Sequence, residues 1–324
     1  MHDRNKFQLA IVLITALLIM TACTGAAQKD EPAWVTFPGA TYVREMAFDS
    51  DGDIWAVSDI GVFETNIQDQ SFKQHTTEDG LLTFQSYAIY FTTNGDTWIG
   101  SKRKGTGHFD GSTWTYYTTE DGLGDDTACS FIEDSKGGVW VGFCEYNGGL
   151  AYFDGDTWIS FNVEQGVASG TVLGLALSSD GVLWVATVDG ITKYDGKTWT
   201  TYDTDDGLPG LMITTIAVGP DGSIWAGTDI NGVVHFDGET WTAYSEEDGL
   251  ISKYVTDIAV DQEGGAWIGT AAEGVSYYKD GVWTHFTKED GLPSNKIGKI
   301  FVDEQGMVWF GTLGGGVARF DPSK

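Results

Sequence analysis

The sequence is poor in positive charge. Its 324 residues include 18 Lys and Arg against 47 Asp and Glu, which gives a formal net charge of −29 at pH 7. Nucleic-acid phosphates require a basic protein surface, so this balance excludes nucleic acid as a partner. Adsorption to anionic lipid is disfavoured by the same repulsion. The simplest role of so acidic a surface is solubility, and we expect a monomer.

Helical periodicity and the common catalytic motifs are also missing. No stretch shows a sustained 3.6-residue hydrophobic repeat, which argues against a helical domain. No Ser-His-Asp arrangement, metal-spaced His or Cys set, or phosphate-binding Gly loop stands out. We therefore expect no catalytic residue, no metal site and no cofactor. Whether the protein is an enzyme stays open at this point, with a non-enzymatic role favoured.

The beginning of the chain resembles a bacterial lipoprotein signal. Arg4 and Lys6 precede an apolar run over residues 7–20, and small residues lead to Cys23. The run is too short to span a membrane comfortably as a permanent helix. We expect residues 1–23 to be a signal peptide with lipidation at Cys23, and residues 24–32 to be a polar tether. The alternatives are an ordinary secretory peptide and an uncleaved anchor.

A lipid on Cys23 would place the protein in the bacterial cell envelope, outside the cytoplasm. Thr24 stands where an inner-membrane retention signal has Asp, so we expect the outer membrane in a cell with two membranes. Membrane contact would then be made through the lipid alone.

Thirteen tryptophans fall into two repeating registers. Successive members of the first register are 41 to 44 residues apart, and five of the six in the second lie 26 residues before a first-register tryptophan. A repeat of about 40–45 residues is typical of a propeller blade. The first register is Trp55, Trp98, Trp140, Trp184, Trp225, Trp267 and Trp309. The second register is Trp34, Trp114, Trp158, Trp199, Trp241 and Trp283, with Phe72 in the slot 26 residues before Trp98.

One repeat, residues 240–278, shows four short segments that alternate in polarity or are wholly apolar, separated by Gly-containing turns. This pattern predicts four antiparallel strands per blade. We therefore expect an all-β fold, a seven-bladed β-propeller over residues 33–324. The last repeat lacks its fourth strand, while residues 34–37 form a strand with no repeat before it. We expect this N-terminal strand to complete the last blade and close the ring, which removes exposed sheet edges.

Several phrases resemble the two-component regulator propeller repeat. They are Glu-Asp-Gly-Leu at 78–81, 120–123, 247–250 and 289–292, Ile-Trp-Ala-Gly-Thr at 224–228 and Ala-Trp-Ile-Gly-Thr at 266–270. The resemblance implies a periplasmic sensor region of the kind that recognises carbohydrate fragments. Only three residues follow Asp321, so we expect a stand-alone form with no kinase and no membrane helix after the propeller.

A weaker resemblance is to streptogramin B lyases, which are seven-bladed propellers with a similar Gly and Trp rhythm. That resemblance implies a metal-assisted lyase with histidine at the channel mouth. Apart from His2, the histidines are His75, His108, His235 and His285. Their repeat positions predict third and outer strands, away from the channel. We expect a lyase only as a distant alternative.

The ligand-binding residues are predicted from positions that differ between repeats. Counting back thirteen, eleven and ten residues from each first-register tryptophan identifies the start of the innermost strand, which faces the channel mouth. Those positions hold tyrosines and charged residues in four blades that become contiguous when the ring closes. The basic loop at 102–104 should emerge on the same face. The predicted ligand-binding residues are Tyr42, Arg44, Tyr87, Lys102, Arg103, Lys104, Tyr254, Asp257, Lys296 and Lys299.

These residues predict a site for a carbohydrate or another small polar, anionic ligand. Tyrosine rings offer apolar faces for stacking, and Arg and Lys pair with carboxylates. The alternative is a solvated basic loop above a channel plugged by tyrosines. As a function, a sensor-type binding propeller is favoured over a protein-interaction scaffold that works with a membrane or surface protein.

Two smaller features have structural interpretations. Cys129 and Cys144 flank a turn, but a one-residue slip would put their side chains on opposite faces, so we expect two separate thiols and keep a disulfide as the alternative. Residues 49–53, Asp-Ser-Asp-Gly-Asp, have oxygen ligands on alternate residues but lack the rest of a calcium loop. We expect a hairpin turn there.

Overall fold

The computed structural model describes residues 33–145 and 148–324, which form seven four-stranded antiparallel sheets arranged as a propeller. The predicted all-β, seven-bladed fold is confirmed. The predicted signal peptide, Cys23 and the tether lie outside the described residues. Within the described ranges, no helix has the length and apolar character needed to cross a membrane.

Each blade contributes its strands in chain order from the channel outward. Blade 1 contains β2 (Glu45–Phe48), β3 (Ile54–Ser58), β4 (Gly61–Thr65) and β5 (Phe72–His75). Blade 2 contains β6 (Ser86–Phe91), β7 (Thr97–Ser101), β8 (Thr106–Phe109) and β9 (Trp114–Tyr117). Blade 3 contains β10 (Ala128–Glu133), β11 (Val139–Phe143), β12 (Leu150–Phe153) and β13 (Trp158–Phe161). Blade 4 contains β14 (Val172–Leu177), β15 (Leu183–Thr187), β16 (Gly190–Tyr194) and β17 (Trp199–Tyr202).

The remaining blades repeat this order. Blade 5 contains β18 (Ile213–Val218), β19 (Ile224–Thr228), β20 (Val233–Phe236) and β21 (Trp241–Tyr244). Blade 6 contains β22 (Val255–Val260), β23 (Ala266–Thr270), β24 (Val275–Lys279) and β25 (Val282–Phe286). Blade 7 contains β26 (Ile297–Val302), β27 (Val308–Thr312) and β28 (Gly316–Phe320), with β1 (Trp34–Phe37) as its outermost strand.

The Glu-Asp-Gly-Leu phrases are short 3-10 turns that lead from an outer strand to the next blade. In one of them, Glu246–Asp248, the Ser245 side chain accepts a bond from the backbone while Asp248 accepts from the Ser245 backbone N–H at 2.8 Å. Gly249 follows with φ 109°, a conformation that glycine adopts without strain, and Leu250 is buried beneath. The acidic side chains of these phrases therefore shape turns, as the repeat predicts.

First-register tryptophans lie at the junctions between blades. Trp267, on β23, has its ring centroid 5.3 Å from that of Phe286 in its own blade and 5.9 Å from that of Phe320 in the next. Gly269 follows two residues later, and a Cβ there would lie only 2.6 Å from Ile297 Cγ2. The glycine therefore allows the neighbouring sheet to approach closely while the indole fills the space alongside.

The N-terminal strand closes the ring as predicted. β1 pairs antiparallel with β28, and its register places Trp34 opposite Phe320 and Phe37 opposite Val317. The Trp34 ring centroid is 4.5 Å from that of Phe320 and 5.6 Å from that of Phe310. The β1–β28 pairing is thus the seam at which the first and last strands join. β2 of blade 1 separately contacts β26 of blade 7, so the first and last blades are neighbours in the ring.

Replacing Trp34 tests the closure. Trp34→Ala is expected to lower the free energy of unfolding by about 2–4 kcal/mol, because it removes a large aromatic side chain from the seam. Phe72→Ala is the matched control, since Phe72 occupies the same outer-strand slot of blade 1 but is 55% exposed. Urea unfolding followed by tryptophan fluorescence measures both variants. Equal losses of stability would contradict a special role for the seam.

Candidate ligand site at the channel mouth

Two adjoining cavities follow the central channel. The inner cavity, of about 550 Å³, is lined by innermost-strand residues from all seven blades. The second, of about 630 Å³, lies at the starting ends of the innermost strands of blades 1 and 2, and we call it the mouth cavity. Arg44, Tyr87 and Cys129 line both. The residues that line the mouth cavity are Arg44, Asp59, Gln85, Ser86, Tyr87, Lys102 and Cys129.

The positions thirteen, eleven and ten residues before each first-register tryptophan lie in different parts of the structure. Residues eleven and ten before each first-register tryptophan line the inner cavity in every blade. Among the residues thirteen before, Gln85 lines the mouth cavity and none lines the inner cavity. Tyr42 and Tyr254, at this thirteenth position, are 56% and 47% exposed, and Lys296 is also exposed. The thirteenth position therefore forms a rim above the channel wall.

In blades 2 to 7, a β-bulge separates the residues that line the channel wall from the rim position. In β6, for example, Ser86 pairs with Ser101 and Ala88 with Gly100, so Tyr87 is the extra residue. The same register shift occurs in the innermost strands of blades 3 to 7. Bulges redirect side chains near sites, and here the extra residue is always one that lines the inner cavity.

Arg44, Asp59, Tyr87 and Lys102 form a compact group that we call the mouth cluster. Arg44 donates to both carboxylate oxygens of Asp59, from Nε at 2.7 Å and from one terminal nitrogen at 3.1 Å. Lys102 Nζ lies 5.9 Å from the centroid of the Tyr87 ring. The cluster thus combines two cations, one carboxylate and one aromatic ring, which leaves one positive charge in excess.

The electrostatics of the mouth cluster keep the Arg44–Asp59 pair ionised. The hydrogen bond from Arg44 lowers the pKa of Asp59, and the charges of Arg44 and Lys102 lower it further. The same hydrogen bond raises the pKa of Arg44. A fixed Arg–Asp pair offers donors and acceptors to hydroxyl groups, while the Lys102 ammonium can pair with a carboxylate. This arrangement suits an acidic, hydroxyl-rich ligand.

Asp59 and Ser86 were missed by the sequence reasoning. Ser86 is only 2% exposed, and its Oγ has no hydrogen-bond partner among the described residues although the residue lines the mouth cavity. Buried hydroxyls usually have a hydrogen-bond partner, so Ser86 is an exception at the wall of the mouth cavity. Asp59 stands four residues after Trp55, as Lys102 stands four after Trp98. Counting forward as well as back would have identified Asp59.

The rest of the basic loop points elsewhere. Arg103 Nε donates to Glu145 Oε2 at 3.1 Å, and the Arg103 backbone N–H donates to Thr127 Oγ1 at 3.2 Å. Lys104 is exposed and lines neither cavity. Of the three basic residues in this loop, the structure brings Lys102 alone to the mouth cavity.

Asp257 and Lys299 lie deeper, in an ion cluster with Glu45. Lys299 Nζ is 3.3 Å from Glu45 Oε2 and 3.6 Å from Asp257 Oδ1. Asp257 also accepts from Thr215 Oγ1 at 3.0 Å and from the Ile300 backbone N–H at 2.7 Å. The cluster links blades 5, 6, 7 and 1. Its existing bonds give Asp257 and Lys299 a role in holding neighbouring blades together, and their role toward a ligand stays a prediction.

Two effects set the pKa values in this ion cluster: burial, and the presence of two carboxylates around one ammonium. Burial raises the pKa of the Glu45 carboxyl, and Lys299 offsets part of that rise. Burial lowers the pKa of Lys299, but Asp257 and Glu45 outweigh it, so the pKa of the ammonium is raised. Lys299 is therefore a permanent cation between two carboxylates.

The expectation of two separate thiols was wrong, because Cys129 and Cys144 form a disulfide with their Cα atoms 5.8 Å apart. The bulge supplies the reason. Ala128 pairs with Phe143 and Ser130 with Gly142, which leaves Cys129 as the extra residue of β10. The alternation that would separate the two side chains is interrupted at this point. Cys129 lines both cavities, so the bond lies beside the mouth cluster.

The aspartates of residues 49–53 shape a hairpin turn. Asp49 accepts from the backbone N–H groups of Asp51 and Asp53 and from Trp55 Nε1 at 2.8 Å. Carboxylate oxygens of Asp49, Asp53 and Glu64 lie within 4.8 Å of one another. Asn66 donates to Asp53, and His75 shares a hydrogen bond with Glu64. Because each carboxylate has a protein partner, we keep the interpretation as a turn.

The four histidines lie on third or outer strands, as predicted. His75 and His285 are on outer strands, and His108 and His235 are on third strands. His108 stacks on Trp98 with ring centroids 4.3 Å apart. None of the four lines either channel cavity.

Comparison with known proteins agrees with both sequence resemblances. Residues 249–272 and 291–314 match the family described as "Two component regulator propeller". Two stretches of this seven-bladed propeller, in blades 6 and 7, thus match the two-component regulator propeller repeat. No curated protein sequence matches it significantly.

Solved structures share the fold at low sequence identity. The extracellular domain of the putative hybrid two component system BT3049 from B. thetaiotaomicron has a TM-score of 0.77 and 18% identity, covering 90% of this chain and 41% of that one. Streptogramin B lyase has a TM-score of 0.72 and 15% identity, covering 89% and 97%. PorZ, a surface component of the type-IX secretion system of Porphyromonas gingivalis, has a TM-score of 0.69 and 19% identity, covering 88% and 47%. The chain spans about two fifths of the BT3049 domain.

Replacing Lys299 tests the ion cluster. Lys299→Met should lower the free energy of unfolding by about 2 kcal/mol near pH 8, because Glu45 and Asp257 then face each other without a cation. The loss should shrink as the pH falls toward about 4, since Glu45, whose pKa is already raised by burial, takes up a proton. Urea unfolding at both pH values measures this, with the exposed Lys296→Met as control. A pH-independent loss would contradict the charge assignment.

Proposed function

We propose that this protein is a non-enzymatic, extracytoplasmic sensor-type propeller that binds a carbohydrate or another small polar, anionic ligand at the channel mouth. The observation that carries the proposal is the mouth cluster. In a chain with a net charge of −29, this cluster has one positive charge in excess, and its lysine ammonium lies beside an aromatic ring. Lys102 would pair with the ligand carboxylate, Tyr87 would stack on the ring, and the Arg44–Asp59 pair would bind hydroxyl groups.

The proposed location has two supports. The structural relatives include extracellular domains and a surface component. The Cys129–Cys144 disulfide also suits an oxidising compartment outside the cytoplasm. We include lipidation at Cys23 in the proposal, as the lipoprotein-like signal indicates.

Two backbone hydrogen bonds locate Ala33, the first described residue, relative to the mouth. Ala33 O accepts from the Asp321 backbone N–H, just beyond the end of β28. Gly316, at the start of β28, instead bonds to Thr41 near the mouth rim. Ala33 therefore lies at the end of the propeller opposite the mouth.

Binding of acidic oligosaccharides tests the proposed function. We expect a trimer of galacturonic acid to bind and the Lys102→Ala and Arg44→Ala variants to bind it roughly tenfold more weakly, because each loses a charge-assisted contact. Isothermal titration calorimetry with the acidic trimer and its neutral galactose counterpart measures the difference. Lys104→Ala is the matched control from the same loop. Unchanged binding of both sugars by the Lys102 and Arg44 variants would contradict the proposal.

A further inference from the structure

A third cavity adjoins the mouth cavity on blade 1. It has a volume of about 230 Å³ and lies between the segment that precedes β2 and the tight turn that joins β3 to β4. Its lining residues are Thr41, Tyr42, Ser58, Asp59 and Ile60. Asp59 also lines the mouth cavity, so the two cavities meet at this side chain. We call the third cavity the blade 1 subsite.

Two apolar side chains of the subsite are presented from backbone that is held in place. Tyr42 forms a β-bridge with Leu313 of blade 7. Ile60 lies in the turn between β3 and β4, and its N–H donates to Ser58 Oγ at 3.2 Å. Tyr42 and Ile60 are 56% and 61% exposed. They therefore offer apolar surface to a ligand with little backbone ordering left to complete on binding.

The position of these two residues beside the mouth distinguishes them from their equivalents in other blades. Tyr254 of blade 6 and Ile230 of blade 5 occupy the same repeat positions and are 47% and 51% exposed. Neither lines the inner cavity, the mouth cavity or the blade 1 subsite. Tyr42 and Ile60, in contrast, flank a cavity that is continuous with the mouth through Asp59. This continuity favours the ligand of the mouth itself as the occupant.

The charge of the subsite limits which part of that ligand it can take. Asp59 is the one charged residue in its lining, and neither Lys102 nor Lys296 contributes to it. A ligand carboxylate there would be repelled by Asp59. Arg44 donates one hydrogen bond to each Asp59 oxygen, and a carboxylate oxygen can accept more than one. The Asp59 side chain is 58% exposed, so it can also accept hydrogen bonds from ligand hydroxyl groups.

We propose that the mouth binds an oligosaccharide across two subsites, with an acidic sugar at the mouth cluster and a neutral sugar in the blade 1 subsite. The neutral ring would place its apolar face on Tyr42 and Ile60. Asp59, between the two subsites, would accept hydroxyl groups from both units. This inference rests on the proposed function and adds a ligand class to it, an oligosaccharide that combines acidic and neutral sugars. Tyr42 is then a residue that determines specificity.

Two tetrasaccharides of equal length test the inference by isothermal titration calorimetry. One alternates galacturonic acid with rhamnose, a neutral sugar that carries a methyl group, and the other contains galacturonic acid alone. Wild type should bind the alternating tetrasaccharide about tenfold more tightly. Tyr42→Ala should lose this preference, because the neutral unit loses its stacking surface, and should bind the wholly acidic tetrasaccharide within about twofold of wild type. Tyr42→Phe, which retains the ring, should keep the preference.

The chain offers matched controls at the same repeat positions. Tyr254→Ala and Ile230→Ser remove exposed side chains of the same type away from the three cavities, and both variants should bind the two tetrasaccharides as wild type does. Ile60→Ser should reduce the preference for the alternating tetrasaccharide. Urea unfolding of every variant checks that the ring is intact.

Three outcomes would overturn the blade 1 subsite: equal binding of the two tetrasaccharides by wild type, a preference that survives in Tyr42→Ala, or the same loss of preference in Tyr254→Ala. Binding of the wholly acidic tetrasaccharide that depends on Lys102, without any preference for the alternating one, would remove the subsite and leave the proposed function intact. Failure of both tetrasaccharides to bind would overturn the two proposals together.

Discussion

The pairing of β1 with β28 is the constraint on which the propeller depends. Each four-stranded blade buries the faces of its sheet only against the neighbouring blades. An open row of blades would therefore leave one sheet face exposed to solvent at each end. Trp34 fills this seam against Phe320 and Phe310, as Trp283 and the other second-register tryptophans fill the corresponding positions of their blades. Inside the channel, Lys299 of blade 7 pairs with Glu45 of blade 1 and with Asp257 of blade 6, so it links the closing blade to both of its neighbours. Closure in turn makes blades 7 and 1 neighbours, which determines which blades lie side by side at the mouth.

The sequence predicted the features that recur in every blade, where equivalent residues are buried in the same way. Tryptophan spacing identified seven blades, four strands in each and the closing strand, because the same packing problem recurs about every 42 residues. It did not predict features that depend on the bulge. The pattern of alternation placed Cys129 and Cys144 on opposite faces, whereas the extra residue in β10 allows them to bond. In the blades that carry it, the bulge also divides wall from rim, so Tyr87 lines the cavities while Tyr254 does not.

Residue types differ between blades mainly at positions that the packing of the ring does not constrain. The loop after the second strand holds Asp59 in blade 1, Lys102 in blade 2 and Cys144 in blade 3, all at one repeat position. Together they create an Arg–Asp pair, a lysine ammonium beside a tyrosine ring and a disulfide around one cavity. One face of a regular ring thus carries a polar pocket assembled from positions that differ between blades.

The most direct test of this account is a crystal structure of the protein soaked with tri-galacturonic acid. The account predicts a sugar carboxylate at Lys102, a sugar ring on Tyr87 and hydroxyl groups at the Arg44–Asp59 pair. Sugar density confined to the outer strands, or an empty mouth cavity in crystals at saturating ligand, would contradict it.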